Sequence, residues 1–457
     1  MIPRKTLCAV LVLLTAAVVA RAEQPAPNSK AEWKLEAQIL RRIHAPQFPR
    51  RDFVITQFGA VPDGKTDCTK AIADAIDACA NAGGGRVVVP AGEFLTGAIH
   101  LKSNVNLHLE KTNSVLLFTI NPEAYLPVVF TRFEGTELYN YSPLIYALGQ
   151  KNVAVTGDGL LDGQANATNW WSWKNTSARG RLVKMATDGV PVEQRQFGDG
   201  DHLRPSFVEF NRCQNVLIEG VRIRRSPMWE LHPLLCTNVT VRGVNIFSHG
   251  PNNDGCDPES CSDVLIEKCL FDTGDDCIAI KSGRNNDGRR VNVPVENIIV
   301  RDCTMRDGHA GTAIGSEISG SCSNVFVENC EMSSTNLVCA LRLKSNAVRG
   351  GVLQNIFMRN CNVGVVKDSV LQIDFLYEEG TNGNFKPAAR NVVMENVTVA
   401  HTPRVLNVRG FPGADISNVR IYNSVFKEIK RPDQVIDADV KLVNCKLEQA
   451  TVSSADR

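Results

Sequence analysis

Six residues in four short motifs carry groups that could do chemistry. Asn252-Asn253-Asp254-Gly255 is followed 21 residues later by Gly274-Asp275-Asp276. That interval is close to one short turn of a repeating coil, which would stack Asp254 beside Asp275 and Asp276 on adjacent rungs of one sheet. Three carboxylates so close cannot all ionise at their free pKa, and at least one is pushed upward. A protonated acid beside an ionised partner is what cleavage of a glycosidic bond requires, a proton for the leaving oxygen and a base for water. A lone aspartate at such a corner more often caps a turn; two adjacent ones facing a third are costly without a role. Gly308-His309-Ala310-Gly311 lies about one coil further on, and Arg342-Leu343-Lys344 one beyond that. Strand alternation puts Arg342 and Lys344 on the same face. Cations lined up near an acid cluster point to an anionic substrate held by charge-assisted bonds.

An internal repeat supplies the elements that would position these groups. Asn or Asp followed by Val or Ile opens short β-branched runs at Asn152, Asn215, Asn238, Asp263, Asn297, Asn324, Asn355, Asn391 and Asn418. From Asn215 onward the separations are 23, 25, 34, 27, 31, 36 and 27 residues. Each period holds short strands between Gly, Asn and Asp turns, where a helical repeat would need two apolar-faced helices. The expected fold is all-β, a single right-handed parallel β-helix whose coils stack about 4.8 Å apart around a continuous core. The recurring Asn suits a corner where its side chain satisfies backbone donors or the residue takes the left-handed conformation.

Asp67 to Gly83 reads as an amphipathic helix capping the open end of the solenoid. Gly83-Gly84-Gly85 follows that helix and leads into a strand, the reverse of a phosphate loop, so these glycines read as a C-cap and turn. An insertion from Asp162 to about Pro205 carries Trp170, Trp171 and Trp173, for which packing onto the solenoid is favoured over stacking on a sugar.

The 457 residues carry 50 Lys plus Arg against 49 Asp plus Glu, a balance that argues against a nucleic-acid partner. No stretch after the leader is apolar enough to span a membrane. Arg4 and Lys5, the apolar run Ala9 to Ala20 and the small-x-small site Ala20-Arg21-Ala22 read as a signal peptide. The expected organisation is a leader at 1–22, an extension at 23–52, the β-helix at 53–447 and a tail at 448–457, in a secreted or periplasmic monomer. Of 15 cysteines, Cys8 leaves with the leader. Cys256/Cys261 and Cys322/Cys330 are candidate bridges, but small buried thiols are the favoured reading. No cysteine or histidine cluster has zinc-ligand spacing, so no metal site is expected.

In this order and spacing, Asn252-x-Asp254, Gly274-Asp275-Asp276, Gly308-His309 and Arg342-x-Lys344 resemble the family 28 glycoside hydrolases, the polygalacturonases. The likeness runs along nearly the whole mature chain, including Phe58 to Asp67 and Gly274 to Gly283. It implies hydrolysis of α-1,4-galacturonan with inversion and no cofactor. By that resemblance Asp275 is the general acid, and Asp254 and Asp276 position and activate water. His309 tunes the acid, and Arg342 and Lys344 bind the galacturonate carboxylate. The segment Gly308 to Gly320 is more similar to bacterial and plant exo-acting members than to fungal endo-acting ones, so exo action on pectin is expected. Where the family usually follows its histidine with glycine, Ala310 stands, and its methyl is expected to narrow the cleft floor or shift the His309 backbone. Three alternatives stay open: a rhamnogalacturonan hydrolase of the same family, a calcium-dependent pectate lyase using Asp254, Asp257, Glu259, Asp275 and Asp276, and a non-catalytic pectin-binding solenoid.

Overall fold

A computed structural model describes residues 29–450; the expected leader and most of the expected tail lie outside the described residues. β-Branched residues at alternate positions build two 13-stranded parallel sheets, a back sheet and a side sheet. A third, the cleft sheet, comes in a four-stranded part and a six-stranded part. Isolated bridges through Cys256 and Glu259 join the two parts, so one strand face runs the length of the molecule. This is the parallel β-helix expected from the repeat. Inward side chains stack in register: Val239, Val264, Ile298, Val325, Ile356, Val392 and Val419 follow one another through the back sheet. Each is fully buried. The 14 cysteines among the described residues are free, 13 of them buried, so the two candidate bridges are absent and the cysteines act as small core residues.

The repeat asparagines sit at the corner leading into the back sheet with φ between 53 and 60°, a region Asn tolerates through its short polar side chain. Their amides bond one another along the axis, and that of Asn238 also bonds the backbone of His44. Asn152, Asn215 and Asn238 form one run, and Asn297, Asn324, Asn355, Asn391 and Asn418 another, with Nδ2···Oδ1 distances of 2.7–3.1 Å. Asp263 interrupts the ladder. It accepts from Asn297 at 3.1 Å but has no N–H for Asn238. The N-terminal segment fills the gap: His44 N donates to Asn238 Oδ1 at 2.8 Å, and Arg42 Nε donates to Asp263 at 3.0 Å.

The 23–52 extension contains a helix the sequence reading did not anticipate. Helix α1 (Ser29–Leu40) lies on the outer face of the back sheet. There Leu265, Ile299, Phe326 and Phe357 are in register and apolar, and Ile39, Ile43 and Trp33 cover them. Helix α2 (Thr69–Asn81) is the expected cap, burying Ala71, Ile72, Ala75, Ile76 and Cys79 against the first coil. The insertion folds into short helical turns and helix α3 (Ser177–Thr187). Its tryptophans pack as favoured: Trp170 is buried against Tyr125 and Trp173, and Trp171 donates to Ser226 O at 2.8 Å.

A second unanticipated element sets the shape of the cleft. Strands Val129–Phe133 and Thr136–Asn140 form an antiparallel hairpin. Its turn residues Glu134 and Gly135 both have positive φ, 43 and 77°, the geometry of a two-residue hairpin loop. The hairpin lies over the four-stranded part of the cleft sheet. Thr131 donates to Glu209 at 2.5 Å, and Arg132 donates to Glu259 at 2.8 Å from a fully buried position. The cleft is therefore covered at its N-terminal end and continues over the six-stranded part.

Candidate active site

The corners between side sheet and cleft sheet bring the predicted residues together. Asp254, Asp275 and Asp276 each have a carboxylate oxygen within 4.8 Å of the others. They stand in the turns just before the cleft strands and not on the strands, which corrects the expected position by a few residues. Two glycines permit this approach. A Cβ at Gly274 would lie 2.5 Å from Gly250 O, and one at Gly308 2.6 Å from Asp275 O. The preceding loop is fixed by its own asparagines. Asn253 accepts from Ser248 and Gly250 N at 2.7 and 2.8 Å and donates to Met228 O at 2.9 Å. Asn252 accepts from Arg204 at 2.7 Å, which leaves Asp254 facing the cluster.

A basic side chain faces each carboxylate. His309 Nδ1 is 2.9 Å from Asp275 Oδ1, and its backbone N–H donates to Asp275 O at 2.9 Å. Lys344 Nζ donates to Asp276 Oδ2 at 2.7 Å with both side chains nearly buried. Lys281 Nζ lies 3.8 Å from Asp254 Oδ2. One oxygen each of Asp254 and Asp276 is buried without a hydrogen-bond partner. Burial, reinforced by the charges of Asp275 and Asp257, raises the Asp254 carboxyl well above the usual range. Burial would raise Asp275 too, but the His309 bond and the charges of His309, Lys344 and Lys281 hold it down to about 2. His309 is raised in turn, chiefly by its bond to Asp275. Of this acid pair, Asp254 therefore holds a proton more firmly than Asp275.

Arg342 and Lys344 share the outward face, as alternation required, but they do different work. Lys344 is committed to Asp276. Arg342 makes no salt bridge among the described residues; its guanidinium lies 5.8 Å from the Tyr377 ring centroid, and its Nε is buried without a partner there. Ala310 is fully buried in a small cluster with Ala279, Ala313 and Cys339 beneath the cleft surface. The His309 backbone stays bonded to Asp275, so the extra methyl is absorbed by packing. A hollow of about 310 Å³ adjoins His309, lined also by His249, Asn336, Val338 and Lys367.

The donor set fits a calcium ion poorly. Lys281, His309 and Lys344 already face the three clustered aspartates, and Glu259 is held by Arg132 and by His232 at 3.0 Å. Sequence reasoning missed Lys281, Glu317, Arg204 and the hairpin. Lys281 had a faint signal: it follows Ala279 by two residues, so alternation puts it on the outward face.

Other proteins resemble this chain in sequence and fold. The sequence pattern of the glycosyl hydrolases family 28 matches residues 79–428. An exopolygalacturonase from Thermotoga maritima of known structure is 44% identical, with a TM-score of 0.89 over 91% of this chain and 96% of that one. A probable polygalacturonase of Vitis vinifera is 28% identical over 80% of this chain and 74% of its own length. An exo-poly-alpha-D-galacturonosidase of Dickeya chrysanthemi is 28% identical over 76% of this chain, which spans 61% of that enzyme. With the acid cluster on a parallel β-helix and the family pattern across most of its length, the chain belongs to the glycosyl hydrolases family 28 and is a glycosidase.

Proposed function

We propose that this glycosidase hydrolyses α-1,4-galacturonosyl bonds of polygalacturonate from a chain end, releasing monogalacturonate. The observation that carries this reading is the meeting of an acid cluster, an uncommitted arginine and a covered cleft end within one site. A neutral glycan has no need of Arg342 beside the aspartates, and a cleft closed by the hairpin suits a terminal sugar better than a passing chain. The names of the Thermotoga and Dickeya relatives point the same way.

In this reading Asp275 gives its proton to the bridging oxygen as the bond to the anomeric carbon breaks. Water held by Asp254 and Asp276 attacks that carbon and loses a proton to Asp254. Inversion follows the family resemblance; carboxylate oxygens within 4.8 Å are closer than the roughly 6.5–9.5 Å usual for inverting pairs. The roles require the shared proton on Asp275, whereas burial and the neighbouring charges favour it on Asp254. Both are tautomers of one protonation state, and the pH–rate profile reports values belonging to the set. Its lower ionisation is then mainly that of Asp275 and its upper one that of Asp254. Arg342 binds the substrate carboxylate, and His309 holds Asp275 in place. The leader pattern supports export to where pectin occurs.

The test is incubation with polygalacturonic acid, with and without chelator, following reducing ends, ultraviolet absorbance and product size. Saturated monogalacturonate from the first minutes, unaffected by chelator and abolished by Asp275→Asn, is the expected result. Unsaturated, chelator-sensitive products would make the protein a lyase. Turnover of rhamnogalacturonan with none of polygalacturonate would move the substrate within the family.

A further inference from the structure

Among the described residues, Lys281 is the one ammonium placed between the reaction centre and the cover of the cleft. Its Nζ is 3.8 Å from Asp254 Oδ2, 3.4 Å from Asp257 Oδ1 and 3.3 Å from Glu317 Oε2, and its side chain is 4% exposed. The ring of Trp229 closes another side, with its centroid 4.6 Å from Nζ. Neither oxygen of Asp257 has a hydrogen-bond partner, and the residue is fully buried. Glu317 leads away from the centre: Arg284 lies 4.0 Å from its other oxygen and 3.0 Å from Glu134 in the hairpin turn. Arg179 of α3 completes the line, 2.6 Å from Glu134. Signs alternate along the whole chain, from Asp254 through Lys281, Glu317, Arg284 and Glu134 to Arg179.

We infer that Lys281 is a positioning residue that stabilises the ionised form of Asp254 and anchors it, through Glu317 and Arg284, to the hairpin covering the cleft. The inference rests on the reading of Asp254 as the base that accepts the water proton. Asp254 is faced by three carboxyl groups, Asp257, Asp275 and Asp276, and by two cations, Lys281 and Arg204. Arg204 spends its guanidinium on Asn252 and on the carbonyls of Pro227 and Pro251. Lys281 therefore carries most of the compensation. Without it, the shared proton is held more firmly on Asp254 and the tautomer with Asp275 protonated becomes scarcer. Burial lowers the affinity of Lys281 for its own proton, but Glu317, Asp257 and Asp254 outweigh this, so the ammonium stays charged.

The experiment uses full-length protein labelled at aspartate side-chain carboxyls, titrated by NMR, with the Asp254 signal assigned from Asp254→Asn. In Lys281→Met the Asp254 midpoint should move up by at least about one pH unit, since a unit charge near 4 Å in a buried site outweighs that shift. Lys281→Arg should stay within a few tenths of a unit of wild type. The upper limb of kcat/KM on polygalacturonate should follow the same order, a movement that loss of structure alone does not produce. An Asp254 midpoint unmoved in a folded Lys281→Met protein overturns the inference. If that variant does not fold, Glu317→Gln decides: loss of the competing anion should move the midpoint down, and no movement there also overturns it. A wild-type protein inert toward polygalacturonate would refute the proposed substrate, while the titration still decides the role of Lys281.

Discussion

Arg342 and Lys344 stand two residues apart on one strand face, yet their removal should fail in different ways. Lys344→Met leaves the Asp276 carboxylate, 1% exposed, without the ammonium that sits 2.7 Å away. Breaking a buried pair from one side costs about 3–5 kcal/mol, so the protein should lose much of its stability and nearly all turnover. Arg342→Met removes a guanidinium that has no ionic partner among the described residues, so stability should change by less than about 1 kcal/mol. The loss falls instead on the substrate. A hydrogen bond to a charged group is worth about 1.5–3 kcal/mol, a fall in kcat/KM on polygalacturonate of roughly 10- to 150-fold. Urea unfolding measures the first effect, and initial rates on polygalacturonate and on a fully methyl-esterified chain measure the second. Esterification removes the anion, so the Arg342 penalty should largely vanish on that substrate. Equal destabilisation by both substitutions, or the same Arg342 penalty on the neutral chain, would refute the division of labour.

Other substitutions test separate parts of the argument. His309→Asn removes the cation that holds Asp275 down; burial and the neighbouring carboxylates then raise that group, and the acid limb of kcat/KM should move to higher pH. An unmoved acid limb would detach His309 from the acid. Asn324→Ala deletes one donated and one accepted ladder bond, at 3.0 and 3.1 Å, and places a Cβ without amide at φ 59°. The sum is about 3 kcal/mol of lost stability, with Asn324→Gly costing about 1 kcal/mol less; equal losses would remove the backbone part of that account. A thiol reagent should label one cysteine quickly in the native protein, Cys445, and the 13 buried ones only after unfolding. Missing thiols after unfolding would reinstate disulfides.

What was legible in the sequence is what repeats. Asn followed by a β-branched run marks each coil, so the solenoid and the order of the four motifs along it could be read directly. Stacking then placed Asp254 beside Asp275 without further information. The cover of the cleft was not legible, because a single hairpin interrupts the period only once. Its one local mark is Glu134-Gly135 between alternating residues. Lys281 and Glu317 escaped for another reason. They meet across 36 residues of chain, and nothing in the runs that hold them pairs one with the other; only the coil spacing brings them together. Helix α1 precedes the first repeat, and the apolar face it covers is spread over four strands, one residue on each.

The break in the asparagine ladder has a consequence for how the chain finds its own coils. To an arm laid across the back sheet, successive rungs offer nearly the same backbone and the same corner amides, an invitation to dock one coil too high or too low. Asp263 makes one corner chemically distinct: it frees the Asn238 amide oxygen for the His44 N–H and presents a carboxylate to Arg42. A single acid in a column of amides thus works as an address, and the arm carrying α1 can be delivered to only one place along the stack.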